Sequence, residues 1–296
     1  MSTAPPGSSQ TPLATRPIPH GPEALPVIGL GTWQTFDVGD DAAARAPLRQ
    51  VLDGLLAAGA RVIDSSPMYG RAEGVVGDLL AARSAGAPAP LPVVAPVVAP
   101  FLATKVWTSG RAAGDAQMRR SLKLMRSERL DLLQVHNLVD WKTQLDTLRA
   151  WKKQGLVRYI GVTHYQLGAF AEMERIVAQE GIDFVQLPYS IVTRAAEARL
   201  LPAAAAAGVA VLVMRPFEEG ELFARVRGQA LPPWAAELDC QSWAQFFLKF
   251  ILAHPAVTCP IPATANPRHL VDNLAAGRGR LPDEATRKKM IALLDG

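Results

Sequence analysis

RVIDSSPMYG, residues 61–70, starts as an apolar run suited to a buried β-strand and then breaks into Asp64, Ser65, Ser66, Pro67 and Tyr69. The apolar run with a polar end decides the fold because it recurs. Runs that read as buried parallel strands stand at VIGLG (27–31), RVID (61–64), FLATKV (101–106), LDLLQVH (130–136), RYIGVT (158–163), DFVQLPY (183–189), VAVLVM (209–214) and VTCPIP (257–262). Between them, amphipathic stretches at 42–58, 71–83, 115–125, 142–154, 167–180, 196–207 and 242–253 are long enough for crossover helices, with a further helical pattern at 267–275. Strand, loop and helix repeat eight times, which predicts an α/β fold of the (β/α)8 TIM barrel type. An open doubly wound sheet fits less well, since GLG at 29–31 is not followed by the rest of a dinucleotide fingerprint.

Composition sets the outer bounds. A chain of 296 residues with 49% hydrophobic content can bury one large core, and the expected organisation is a leader over 1–24 followed by a single domain over 25–296. The Pro/Ala-rich SAGAPAPLPVVAPVVAP (84–100) cannot sustain a helix interior and reads as a loop inserted ahead of the third strand. The formal charge of +4 comes without a Lys/Arg run or basic stripe, so no nucleic-acid partner is expected. Cys240 and Cys259 are too few and too isolated for a disulfide framework or zinc site, and no metal is expected. Without a membrane-length apolar run or a signal-like N-terminus, the chain reads as cytoplasmic.

Active sites of such barrels gather at the carboxyl ends of the strands. There the second strand ends in Asp64 and releases Tyr69 into the loop, the third places Lys105 near its end, and the fourth finishes with His136. Singly, these residues read as a cap, a half-buried aromatic, a snorkelling amine and a core histidine. Together on one rim they suggest a site that protonates a carbonyl oxygen. A phenol titrates near pKa ~10, too high for ready proton exchange at neutrality, and an ammonium beside it is expected to pull that value down. The aspartate would keep the lysine charged, and a neutral histidine would donate to the same oxygen.

RVIDSSPMYG, FLATKVW, LDLLQVHN and YIGVTHY resemble the four core segments of the aldo-keto reductases, and GLGTW and IPATANPRHLVDN are similar to that family's first and last strand motifs. The resemblance runs from about Leu25 to the end and is of the bacterial type. It implies a catalytic tetrad of Asp64, Tyr69, Lys105 and His136, NADPH (or NADH) as cofactor, and reduction of aldehyde or ketone carbonyls with Tyr69 as general acid. It further implies cofactor contacts from Gly31, Thr32, Trp33, Asp64, Thr163, His164, Gln186, Met214, Arg215, Phe217, Thr264, Arg268, His269, Asp272 and Asn273. Three segments depart from the family pattern. Thr163 and His164 stand for the usual Ser-Asn pair, Met214 and Arg215 for the stacking aromatic, and Ala263 for the lysine that pairs with the 2′-phosphate.

Trp33, Trp107, Asn137 and Trp141 are expected to line a pocket for a small carbonyl substrate with an apolar body. The segment from Phe217 to Cys240 is too long for a tight turn and is expected to fold over the cofactor, and the short C-terminal segment is expected to leave the pocket open. Two other classes fit parts of the pattern: a Schiff-base lyase using Lys105, and a cofactor-binding regulatory module with little turnover.

Overall fold

The computed structural model describes residues 11–85 and 99–295. Eight parallel strands follow one another around a barrel: β3 (Leu30–Gly31), β4 (Val62–Asp64), β5 (Phe101–Val106), β6 (Leu130–His136), β7 (Val157–Thr163), β8 (Phe184–Pro188), β9 (Ala210–Met214) and β10 (Cys259–Pro260). The seam between first and last closes through Gly29 N–H to Pro260 O at 3.0 Å and a parallel bridge between Gly31 and Ala263. A Cβ on Gly31 would meet Ile261 O at 2.8 Å, so this approach requires glycine.

Helices α1 (Ala42–Ala57), α2 (Ala72–Ala85), α3 (Arg111–Leu124), α4 (Trp141–Lys153), α5 (Phe170–Gln179) and α6 (Leu200–Ala206) follow β3 to β8 in turn. After β9 come the short α7 (Glu221–Arg225), α8 (Trp243–Leu252), and, beyond β10, α9 (Pro267–Ala275) and α10 (Glu284–Asp295). Their limits follow local chemistry. The Ser242 hydroxyl accepts from Gln245 N–H to cap α8, Asn266 caps α9 with Pro267 behind it, and left-handed Gly155 stops α4. Leu145, Leu148 and Trp151 of α4 recur at helical spacing and are buried against the barrel.

Side chains alternate across the barrel wall, as strand geometry requires. Ile63, Leu133, Val135, Val162, Val185, Val211 and Val213 face outward into the core shared with the helices. Val62, Phe101, Ala103, Leu132, Tyr159, Phe184, Ala210, Leu212 and Cys259 form a separate cluster inside the barrel. Register keeps their levels aligned: Asp64 pairs with Ala103, Lys105 with Gln134, His136 with Thr163, and Thr163 with Gln186.

The bottom of the barrel is plugged by an antiparallel hairpin of β1 (Thr15–Pro17) and β2 (Ala24–Pro26). Ile18 and Leu25 of this hairpin join the interior cluster. Glu23 pairs with Arg61 and Arg158 at the lower ends of the wall and accepts from the Tyr159 hydroxyl, while Arg16 donates to the Leu252, His254 and Val257 carbonyls at and just beyond the end of α8. The leader expected over 1–24 is therefore corrected: from Thr15 onward it belongs to the barrel floor, because its apolar residues are the ones that seal the lower opening. Residues 1–10 of the leader and 86–98 of the expected insertion lie outside the described residues, and Ser84 and Ala85 belong to the last turn of α2. Helix α3 begins four residues earlier than expected, and the stretches at 167–180 and 196–207 each open with a short 3-10 turn.

Candidate active site

The strand positions that face inward at the bottom with apolar residues face inward at the top with polar ones. On β4 the pair is Val62 and Asp64; on β5 Phe101, Ala103 and Lys105; on β6 Leu132, Gln134 and His136; on β8 Phe184 and Gln186. Period-two geometry thus delivers one carboxylate, one amine, one imidazole and two amides to the upper end of the barrel interior.

Lys105 is fully buried and donates to Asp64 Oδ2 at 2.6 Å and to Ser65 O at 2.8 Å. Its Nζ lies 5.2 Å from the centre of the Tyr69 ring. Burial works to depress the ammonium, but Asp64 and Tyr69 outweigh it and hold the lysine above its ordinary pKa. Gln186 Nε2 donates to the same Asp64 oxygen at 3.2 Å, and Gln134 Nε2 donates to Gln186 Oε1 at 3.0 Å. A fixed polar chain therefore runs from Gln134 to Lys105 across four strands.

Tyr69 enters from a turn. Pro67 occupies its second position, Tyr69 N–H closes onto Ser66 O at 3.0 Å, and Gly70 follows at φ +59° against the Asp37 carboxylate. The Tyr69 and His136 rings meet edge to face at 5.9 Å. Burial raises the phenol's pKa, Lys105 lowers it and Asp64 raises it again, with a net value above that of an ordinary tyrosine. Lys105 pulls the phenol down as expected, but loss of water costs the phenolate more than the lysine returns, so the net shift is upward. His136 is lowered to about 2, first by burial and then by the Lys105 and His164 charges, so its ring is neutral at any working pH.

Above these groups opens a cavity of ≈ 740 Å³, lined from all sides of the barrel mouth by residues that include Asp64, Tyr69 and His136. Its rim is apolar: Trp33 is 38% exposed, Trp107 43%, Tyr165 40% and Phe223 39%. The Gln117 amide clamps Trp107, accepting from its N–H at 2.6 Å and donating to its carbonyl at 3.2 Å. Four lining residues that are not glycine, Gln34, Asn137, Arg215 and Glu219, hold φ between 53° and 59°, the left-handed region where side chains incur strain. Strain of this kind collects at functional sites.

The aldo/keto reductase family model matches residues 27–289, nearly the whole described barrel. The chain belongs to the aldo/keto reductase family. An aldo/keto reductase from Klebsiella pneumoniae, solved with NADP and acetate, superposes with a TM-score of 0.72 at 25% identity, covering 92% of each chain. An uncharacterised oxidoreductase of Schizosaccharomyces pombe is 28% identical over 57% of this chain and 54% of its own length. The methylglyoxal reductase of Salmonella typhimurium is 27% identical over 53% of this chain and 51% of its own. The chain thus spans about half the length of the curated relatives it matches.

In this aldo/keto reductase, Gly31, Thr32, Trp33, Asp64, Gln186, Met214, Arg215 and Phe217 all line the cavity, as do Trp107 and Asn137. The Thr32 hydroxyl lies 3.0 Å from both Asp64 O and Ser65 Oγ and braces the end of β4. Thr163 is buried at the end of β7 with a hydroxyl that has no partner. Other expected contacts lie away from the cavity. His164 stacks on Tyr165 and accepts from Gln166 N–H, so it stiffens the β7 loop. Thr264 accepts from Asn266 N–H in the turn before α9, where Arg268 and His269 stand exposed. Asp272 accepts from Gln245 Nε2 at 2.6 Å, tying α9 to α8, and Asn273 beside it is buried. Trp141 does not reach the cavity either: it opens α4 and packs against the core.

Sequence reasoning passed over Met68 and Tyr165, which line the cavity, and Gln134, which anchors Gln186. Gln134 had a readable signal, since it shares the inward parity of His136 on the same strand. The expected fold-over segment after β9 does reach the site: Phe217, Glu219, Gly220 and Phe223 form one wall. Arg215 fastens it by pairing with Glu219 at 2.7 Å and lying 5.0 Å over the Tyr165 ring. Among the described residues no cluster of three or more His, Cys, Asp or Glu is placed to hold a metal ion.

Proposed function

We propose that this chain is an NADPH-dependent reductase of aldehyde or ketone carbonyls, with Tyr69 as the proton donor. The observation that carries the reading is the buried Lys105–Asp64 pair set against a protonated Tyr69 and a neutral His136 at the base of one cavity. NADP in the Klebsiella pneumoniae relative and the methylglyoxal reductase activity named for the Salmonella typhimurium relative support it.

The residues present fit the cofactor. The unpaired Thr163 hydroxyl is a buried polar group that a carboxamide would satisfy, Gln186 keeps hydrogen-bonding capacity beside it, and Met214 offers a polarisable surface for a ring. The exposed Arg268 and His269 at the start of α9 would receive the 2′-phosphate. Bound NADPH supplies the hydride delivered to the carbonyl carbon.

The chain's own residues handle the oxygen. Tyr69 and His136 would donate to the carbonyl oxygen from two sides, stabilising negative charge as it develops. The raised pKa keeps the Tyr69 proton in place until that charge appears, and an alkoxide is basic enough to take it. Lys105 would then stabilise the phenolate, and Asp64, held by Gln186, keeps the lysine aimed and charged. An aspartate partner that raises the lysine argues against a Schiff-base role, which needs a depressed amine pKa. Trp33, Trp107 and Phe223 favour carbonyls with apolar bodies. The cytoplasm is the proposed location, since both cysteines are free and buried and need no oxidising compartment.

Titration with NADPH and NADH, followed by turnover on a panel of aldehydes, ketones and quinones, tests the reading. Binding and turnover with NADPH are expected. Binding without turnover on any carbonyl would favour the regulatory-module reading, and a borohydride-trapped adduct on Lys105 would favour the lyase.

A further inference from the structure

The turn that carries Tyr69 also places Ser66, a buried residue whose hydroxyl lies 2.9 Å from His136 Nδ1. A neutral imidazole carries one proton, on Nδ1 or on Nε2, and only the nitrogen bearing it can donate. We propose that Ser66 is a positioning residue that fixes His136 in the tautomer with its proton on Nε2, leaving that nitrogen as the donor to the substrate oxygen. The inference rests on the carbonyl-reduction reading above.

The hydrogen-bond inventory decides the tautomer. Ser66 Oγ has two partners, Met68 N–H at 3.3 Å and His136 Nδ1. The Met68 amide can only donate, so it occupies a hydroxyl lone pair and leaves the Ser66 proton to be placed. If Nδ1 accepts, that proton is used and every group is satisfied. If Nδ1 carried the proton, the hydroxyl would receive two donors and its own proton would be buried without an acceptor, a cost that folded interiors avoid. The same turn therefore presents one proton donor, Tyr69, and sets the protonation pattern of the other.

Nitrogen-15 NMR of histidine-labelled full-length protein tests this directly, with His136→Gln assigning one of the five histidine signals. Wild type is expected to show His136 as the Nε2–H tautomer. Ser66→Ala is expected to bring in the Nδ1–H form and to lower kcat by roughly tenfold with little change in KM, the scale of one buried hydrogen bond. An Nδ1–H tautomer in wild type overturns the proposal, as does a Ser66→Ala protein that keeps Nε2–H and full kcat. The spectrum is read without turnover, so failure of the carbonyl-reductase reading would appear separately, as an unchanged tautomer result beside an inactive wild type.

Discussion

The lower and upper halves of the barrel interior are built on the same strands and the same inward parity, yet they do opposite things. Below, Val62, Phe101, Leu132, Tyr159 and Phe184 close over Ile18 and Leu25 of the hairpin into a dry apolar plug. Above, two or four residues further along these strands, Asp64, Lys105, Gln134, His136 and Gln186 form a polar layer under an open cavity. The plug supplies burial, and the layer spends some of that stability on desolvated charge. What separates scaffold from site is height along the barrel axis, as expected where strand carboxyl ends carry the chemistry.

Substitutions in the two layers should break in different ways. Lys105→Met leaves Asp64 buried without its partner, so a loss of about 3–5 kcal/mol in stability is expected together with loss of nearly all turnover. Denaturant melts and steady-state assays on the same preparation check both. Phe184→Ala opens a void in the plug and should cost a similar ~3–5 kcal/mol, while kcat per folded molecule changes by less than about twofold. A large fall in kcat there would mean that the layers are not separable.

Smaller effects sharpen the boundary. Arg215→Ala removes the Glu219 pair and the contact with Tyr165, so a KM rise of a few fold is expected, in keeping with a partly exposed cation–π contact of about 0.5–1 kcal/mol. The pH profile of carbonyl reduction should be nearly flat through neutrality. The proposed donor Tyr69 can give its proton only while protonated and its pKa is raised, so kcat/KM is expected to fall only as pH climbs past the ordinary tyrosine value. The sign is the same for stability: a phenol with a raised folded pKa contributes fully below its unfolded value and loses that contribution as pH rises through the folded one. His136, lowered to about 2, adds no acid limb near neutrality.

All eight strands, and the convergence of Asp64, Lys105 and His136 on one end of the barrel, could be read from the sequence because both depend on short-range pattern. Asp64, Lys105 and His136 end apolar runs, and a strand end in a barrel has only one place to go. The hairpin over Thr15–Pro26 was not legible, because two three-residue strands carry too little periodicity to separate them from a leader. Trp141 shows the other limit: an aromatic just past a strand end suits a pocket equally well, and helix packing decides where it points. The sign of the Tyr69 shift was hidden for a related reason, since the lysine's proximity could be inferred but the depth of burial could not.

In the proposed reaction Tyr69 supplies the proton and only the proton. Its most direct test compares wild type with Tyr69→Phe by NADPH fluorescence titration and single-turnover carbonyl reduction. Nearly unchanged cofactor affinity is expected, with a fall of about 10²–10⁴ in the reduction rate, the range of a lost general acid. Equal reduction rates in the two proteins would contradict it.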